Sequence, residues 1–255
     1  MINLLHGDCL DKLKTLDECS IDLTVTSPPY DNLRTYNGFT FDFEGIAKEL
    51  YRITKDGGVV VWIVGDATIN GSETGTSFKQ ALYFKDVGFN LHDTMIWLKP
   101  NPSNPSNNRY HQIFEYMFVF SKNKPKTFNP IKDRKNITAG KIGTLGKNTI
   151  RQKDGTFKEG KKKINSEFGM RYNIWKNNTV GQDFMCQKLP HPAMFPEKLV
   201  HDHIISWSNE DDTILDCFMG SGTTGKIAKQ LHRNFIGIEI SEEYMNIATE
   251  RISNG

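Results

Sequence analysis

The 255-residue sequence contains no run approaching the ~18 consecutive apolar residues that a membrane-spanning helix needs. Its longest apolar stretch, Val59-Val60-Val61-Trp62-Ile63-Val64, has the length of a buried strand. The opening residues Met1 to His6 lack a charged segment followed by an apolar one, so no secretory leader is expected. Only four cysteines occur (Cys9, Cys19, Cys186 and Cys217), and none form a C-x-x-C pair. A zinc site or disulfide framework is therefore not expected, no metal is assigned, and the cysteine usage suits a reducing cytoplasm. Internal repeats are absent. The net charge of +2 favours no class of partner by itself. What is present, 37% hydrophobic and 24% charged residues with a mean hydropathy of -0.51, describes a soluble globular chain. The length fits one large domain, or a domain carrying an insertion.

Charge is distributed unevenly. Residues 121–176 hold 16 Lys+Arg against 4 Asp+Glu, whereas the rest of the chain holds 16 basic and 26 acidic residues. A basic segment on an acidic body suggests a polyanion-binding surface. Aromatic residues are interleaved with it: Phe128, Phe157, Phe168, Tyr172 and Trp175. A solvated loop rich in Lys, Asn and Gly would have the same composition, and charge alone leaves both readings open.

Apolar spacing and turn residues divide the remainder into alternating strands and helices. Ile21 to Thr26 reads as a strand stopped by Pro28-Pro29. Phe43, Ile46, Ala47, Leu50 and Ile53 recur at a helical period, and Asp56-Gly57-Gly58 would end that helix before a strand at Val59 to Val64. Phe78 to Val87 reads as a helix, and Leu91 to Leu98 and Ile113 to Phe120 as strands. After the basic stretch a helix is expected from Pro196 through Trp207, then a strand at Thr213 to Cys217, a helix at Thr223 to Leu231 and a strand at Asn234 to Ile240. Ser241 is a candidate N-cap of a last helix, with Glu242 and Glu243 in its first turn. The alternation predicts an α/β protein with a doubly wound, mostly parallel sheet. Three parts are expected: 1–120, a basic insertion at 121–185, and 186–255.

Asp216-Cys217-Phe218-Met219-Gly220-Ser221-Gly222-Thr223-Thr224-Gly225 runs from a strand into a helix and contains G-x-G-x-x-G at Gly220, Gly222 and Gly225. Glycines permit a tight turn and close approach of a ligand to backbone. Glu239, nineteen residues past Gly220 at the end of the next strand, is spaced to accept hydrogen bonds from ribose hydroxyls. Position disfavours a dinucleotide. A fold that starts at such a loop needs on the order of 100 further residues to complete its sheet, and only 30 follow Gly225. The missing strands must come from the N-terminal half, so the order is circularly permuted.

Thr26-Ser27-Pro28-Pro29-Tyr30 closes a strand, where open parallel sheets bind ligands. Two prolines stiffen the corner and remove two amide donors. The groups left are chiefly acceptors, the Ser27 hydroxyl oxygen and backbone carbonyls, beside an aromatic face. An exocyclic amino group on a flat base needs such acceptors. A proline-rich turn with a packed tyrosine would share the sequence.

Taken together, Ser27-Pro28-Pro29-Tyr30 and the Asp216-to-Gly222 segment resemble the motifs of the DNA amino-methyltransferases, which modify exocyclic amines of bases. Their order, catalytic motif before cofactor motif, resembles the β group of that family. The resemblance covers most of the chain outside roughly 121–185. It implies a Rossmann-like methyltransferase fold, an inserted target-recognition region and S-adenosylmethionine as methyl donor. By position, Phe218, Gly220 and Gly222 would line the methionine and ribose region, Asp216 would face the donor's ammonium group, and Glu239 would hold the ribose hydroxyls. His6-Gly7-Asp8-Cys9-Leu10 resembles the family's G-D-x-L element, so Asp8 would accept from the adenine amino group. His191-Pro192-Ala193-Met194-Phe195-Pro196 resembles the segment entering the first helix of the cofactor half, placing Phe195 near the methionine tail.

On this reading the catalytic residues are Ser27, Pro28, Pro29 and Tyr30. Ser27 oxygen and the Pro28 carbonyl would accept from the amine and aim its lone pair, with the base flipped from duplex DNA and stacked on Tyr30. Serine at the first motif position leans toward N4 of cytosine in the family, while aspartate is commoner with N6 of adenine. The two amines present the same donors, so adenine stays open. Ring-carbon methylation of cytosine would need a cysteine nucleophile, which in the family that performs it follows a proline, and no cysteine here does. Double-stranded DNA is the expected partner. A homodimer, a companion restriction endonuclease, a non-catalytic DNA-binding protein of this fold and a nicotinamide oxidoreductase remain alternatives to be distinguished.

Overall fold

The computed structural model describes residues 1–29, 41–101, 107–141, 149–159, 164–176 and 196–255. In chain order the elements begin with β1 (Ile2–His6), α1 (Cys9–Lys14), β2 (Ile21–Thr26), α2 (Phe43–Ile53) and β3 (Thr54–Val64). A small hairpin, β4 (Thr68–Ile69) with β5 (Ser72–Glu73), precedes α3 (Thr76–Val87), β6 (Asn90–Leu98) and β7 (Phe114–Ser121). The short strands β8 (Arg134–Lys135), β9 (Thr149–Arg151), β10 (Phe157–Glu159), β11 (Phe168–Gly169) and β12 (Ile174–Lys176) follow. The chain closes with α4 (Glu197–Trp207), β13 (Thr213–Asp216), α5 (Thr223–Gln230), β14 (Asn234–Glu239) and α6 (Glu242–Asn254).

The sheet has eight strands in the order β1-β14-β13-β2-β3-β7-β6-β12. β7 pairs antiparallel with both neighbours and every other adjacent pair is parallel. This is the doubly wound, mostly parallel sheet with permuted order that the sequence predicts. From β13 the chain winds outward to β14, and from β2 it winds the opposite way to β3. The β13–β2 boundary is therefore the topological switch point, outside whose carboxyl ends such sheets bind ligands.

Local sequence explains the framework. Val59 to Val64 are all buried, as a central strand covered on both faces requires. Each such side chain contributes about 1.5–3 kcal/mol of burial. The helical period in α2 buries Ile46, Ala47, Leu50 and Ile53 against the sheet, and Asp42 caps its start by accepting from Gly45 N at 3.0 Å. Ser241 caps α6 as its sequence suggests, accepting from Tyr244 N at 3.4 Å. At the amino ends of the central strands, Asp22 Oδ2 accepts from Thr213 N (2.9 Å) and Lys55 Nζ (2.6 Å), bracing β2, β13 and β3.

Three features depart from the sequence reading. β1 and α1 were not anticipated as elements. Asp56-Gly57-Gly58 does not terminate α2, because the helix stops at Ile53 and these residues already belong to β3. Gly57 there takes φ +76 and the β2–β3 register shifts between Ile21 and Leu23. Trp175, grouped with the aromatics of the basic stretch, is a core residue of β12, buried 4.5 Å from the His203 ring.

The described residues form two compact units, Met1–Asn129 with Asn173–Gly255, and Pro130–Tyr172. Among the described residues, the first holds the eight-stranded sheet and the six helices. In the second, β8 pairs antiparallel with β11 and β9 with β10. Arg134 lies over the Tyr172 ring at 4.7 Å, and Arg171 pairs with Asp133. Its Ile137, Phe157, Ile164, Phe168, Met170 and Tyr172 are exposed.

Candidate active site

Four neighbouring parallel strands end side by side, and each delivers one of the residues singled out in the sequence. β1 leads to Asp8, β14 ends at Glu239, β13 ends at Asp216, and β2 leads to Ser27. The register pairs His6 with Glu239, Asp216 with Gly237, and Leu215 with Thr24, so the four ends fall within about two residues of one another.

The switch point is closed by one buried contact. Thr26, the last residue of β2, donates from Oγ1 to Asp216 Oδ1 at 2.7 Å. Both are buried, and 190 residues separate them. The Thr224 hydroxyl donates to the other oxygen at 2.6 Å, the Phe218 amide donates to Oδ1 at 3.2 Å, and the Cys217 thiol donates to Thr26 Oγ1 at 3.7 Å. Asp216 thus ties the proline corner to the glycine loop and to the first turn of α5. Both of its oxygens already accept from this chain. Burial, with a smaller push from the nearby Glu239 charge, brings its pKa up to about 6 against these three hydrogen bonds. Cys9 packs against this network, and its thiol is pushed well up, first by burial and then by a hydrogen bond with Cys217.

The glycine loop turns through two left-handed residues, Gly220 at φ +52 and Gly222 at φ +79. A Cβ on Gly222 would stand 2.9 Å from Ala248 Cβ of α6, so glycine here also permits helix packing. Glu239 holds the loop from the side. Its Oε2 accepts from Gly220 N and its Oε1 from Ser241 N, both at 2.8 Å. Each carboxylate oxygen retains a further lone pair. Asp8 stands on the turn after β1 and caps α1 by accepting from Asp11 N at 3.2 Å.

Phe218 packs edge-on to Phe41 (centroids 5.6 Å) and to Trp62 (6.3 Å). The glycine-loop aromatic is therefore seated by residues from the other half of the chain. Trp62 is fixed in turn, donating from Nε1 to Gln80 Oε1 at 2.9 Å. The sequence reading quoted Thr26 in the proline corner but gave it no role, and it missed Phe41, Trp62 and Gln80. Only Thr26 carried a signal, its place directly before the corner. Of the anticipated residues, Ser27, Pro28 and Pro29 follow β2 at the switch point, with Pro28 buried. Tyr30 and Phe195 lie outside the described residues. Pro196, next to Phe195, is the N-cap of α4.

Among the described residues no group of His, Cys, Asp and Glu is arranged to hold a metal, and no helix is long and apolar enough to cross a membrane. The chemistry of the crevice fits S-adenosylmethionine. Two buried carboxylates, Asp216 and Glu239, give it negative potential, which suits a donor bearing a sulfonium and an ammonium group.

Comparison with known proteins agrees. A family model described as DNA methylase, for N6 and N4 methyltransferases, matches residues 21–250. The orphan methyltransferase M.BamHII of Bacillus amyloliquefaciens is 57% identical over 245 residues, covering 94% of this chain and 92% of the relative. The type II methyltransferase M.HinfI of Haemophilus influenzae is 30% identical over 279 residues, covering 98% and 67%. Among solved structures, M1.HpyAVI in complex with S-adenosylmethionine superposes with a TM-score of 0.64 at 25% identity, covering 98% of this chain and all of that one. The cytosine-N4-specific PvuII DNA methyltransferase shares the fold with a TM-score of 0.70 at 23% identity, covering 98% and 86%. The chain belongs to the N6/N4 DNA methylase family and is an S-adenosylmethionine-dependent DNA methyltransferase.

Proposed function

We propose that the chain methylates the exocyclic N4 amino group of cytosine at a specific site in double-stranded DNA, acting on a flipped base as a stand-alone enzyme. The observation that carries this reading is the Thr26–Asp216 hydrogen bond. It joins the Ser27 corner to the glycine loop at the switch point, as direct transfer between a bound donor and a bound base requires.

Ser27 accepts from one N–H of the amine and the Pro28 carbonyl from the other, drawing the nitrogen toward tetrahedral geometry. Pro29 keeps the corner rigid, and Tyr30 offers a stacking face to the base. Glu239 accepts from the donor's ribose hydroxyls with the lone pairs its two amide partners leave. Asp8 accepts from the adenine amino group. Phe218, Gly220, Gly222 and Phe195 shape the methionine side. For Asp216 the arrangement supports a long-range role: its oxygens are engaged within the chain, and its charge attracts the donor's ammonium group through the crevice. When bound, S-adenosylmethionine supplies a methyl group already activated on a sulfonium sulfur and departs as the neutral thioether S-adenosylhomocysteine. Ser27 and its neighbours bind and orient the amine, and the proton that the methylated nitrogen gives up leaves to solvent by way of the Ser27 hydrogen bond.

Ser27 is the reason for choosing cytosine, since serine at this position leans that way in the family. The deciding experiment incubates the enzyme with DNA and donor and identifies the modified nucleoside by mass. N4-methylcytosine is expected. N6-methyladenine would transfer the reading to the adenine alternative, and donor binding with unmodified DNA would point to a non-catalytic DNA-binding protein.

A further inference from the structure

The glycine loop is gripped from its outer side by a charged cluster that the steps above do not use. Arg251, in the last turn of α6, donates from Nη1 to the Ser221 carbonyl (3.4 Å), to Ser221 Oγ (3.2 Å) and to Thr223 Oγ1 (2.9 Å). Its Nη2 donates to Glu197 Oε1 at 2.8 Å, and Lys226 Nζ of α5 reaches the same oxygen at 2.7 Å. The cluster is largely enclosed, with the Arg251, Lys226 and Glu197 side chains 11%, 21% and 26% exposed.

Its placement is electrostatically unusual. Arg251 and Lys226 set two cations at the first turn of α5, where the helix dipole favours anions. Glu197 offsets them. Burial alone would raise the Glu197 pKa, but the bonds from Lys226 and Arg251 outweigh it and hold the carboxyl below its usual range. A brace serving stability alone could sit anywhere along α5. This one takes its acceptors from Ser221 and Thr223, the residues flanking Gly222. The other end of the bridge, Glu197, opens α4 directly after Pro196, next to the segment assigned to the methionine tail.

We propose that Arg251 is a positioning residue for the methyl donor: by bridging Glu197 to Ser221 and Thr223 it sets the spacing between the start of α4 and the glycine loop, and so sets donor affinity. The inference rests on the donor site proposed above and names a residue that acts on it through the loop. The fork matters as well as the charge, because one planar group spans both segments; lysine can reach one of them at a time.

The test is titration of S-adenosylmethionine and S-adenosylhomocysteine into the wild-type chain and the variants Arg251→Met, Arg251→Lys and Glu197→Gln, alongside DNA affinity and thermal unfolding. Donor binding by the wild type is measured first, and its failure would overturn the functional reading rather than this one. Arg251→Met is expected to weaken donor binding by about tenfold to a hundredfold, the scale of charge-assisted hydrogen bonds, while DNA affinity stays within about twofold. In turnover the effect should fall mainly on donor KM, with kcat changing far less. Arg251→Lys should fall between, and Glu197→Gln combined with Arg251→Met should be no worse than Arg251→Met alone. A folded Arg251→Met protein that binds both ligands like the wild type would overturn the proposal. If that variant does not fold, wild-type donor affinity in both Arg251→Lys and Glu197→Gln would do the same.

Discussion

At the scale of single residues, Thr26 and Ser27 divide the work between them. The Thr26 hydroxyl is spent on Asp216, which points the chain so that the next residue emerges at the switch point. Ser27→Ala should therefore lower turnover by about a hundredfold or more while donor affinity stays within about twofold, since its oxygen acts on the amine in transfer. Unchanged turnover would remove Ser27 from the mechanism. Asp216 gives a pH prediction. Its pKa rises from 3.8 unfolded to about 6 folded, so the folded state holds this proton more tightly. The associated stability is complete below pH 3.8 and is lost as pH rises through about 6, amounting to about 3 kcal/mol at neutral pH. Urea unfolding between pH 4 and 8 should show the wild type losing most of that stability relative to Asp216→Asn. Parallel curves for the two proteins would refute the assignment. Donor affinity should move oppositely, strengthening as Asp216 ionises, and Asp216→Asn should abolish that dependence.

At the scale of elements, the loop between β13 and α5 depends on its neighbours as much as on its own glycines. Gly222 combines φ +79 with close approach to Ala248, and a Cβ on Gly225 would meet Phe235 and Ile252 at 2.5 Å. Gly222→Ala should cost about 1–3 kcal/mol of stability, from backbone strain and overpacking together, and should weaken donor binding through the displaced loop. Chemical denaturation and donor titration of the same variant check both. The G-x-G-x-x-G spacing was legible in the sequence, but the reason for two of its glycines was not. Ala248 and Ile252 lie on α6, and no local pattern connects them to the loop. The same holds for Phe218, whose seat on Phe41 and Trp62 comes from the other half of the chain. β1 and β12 escaped notice for another reason: they are edge strands. The exposed ends of β1 blur its alternation, and only Trp175 of β12 is buried.

At the scale of the molecule, the chain divides chemistry from basic charge. Both the Ser27 corner and the glycine loop lie in the sheet-bearing unit, whereas Pro130–Tyr172 forms its own compact unit, with two short antiparallel strand pairs, within the basic stretch. Replacing Pro130–Tyr172 by a short flexible linker should sharply reduce DNA affinity and its salt dependence while sparing donor binding. Equal DNA affinity at several salt concentrations would show that the basic unit is not the DNA-binding surface.

The sequence alone determined which chemistry was available and in what chain order. Apolar periodicity and turn residues are local signals, and they delimit strands, helices, the acceptor-rich proline corner and the glycine turn. Counting the residues after Gly225 was enough to require a permuted sheet. Only the tertiary structure decided which distant groups meet: Thr26 with Asp216, Phe218 with Trp62, and Arg251 with Glu197 and Ser221. Those contacts depend on strand order and register, which in the first of them join positions 190 residues apart, and no local periodicity encodes that distance.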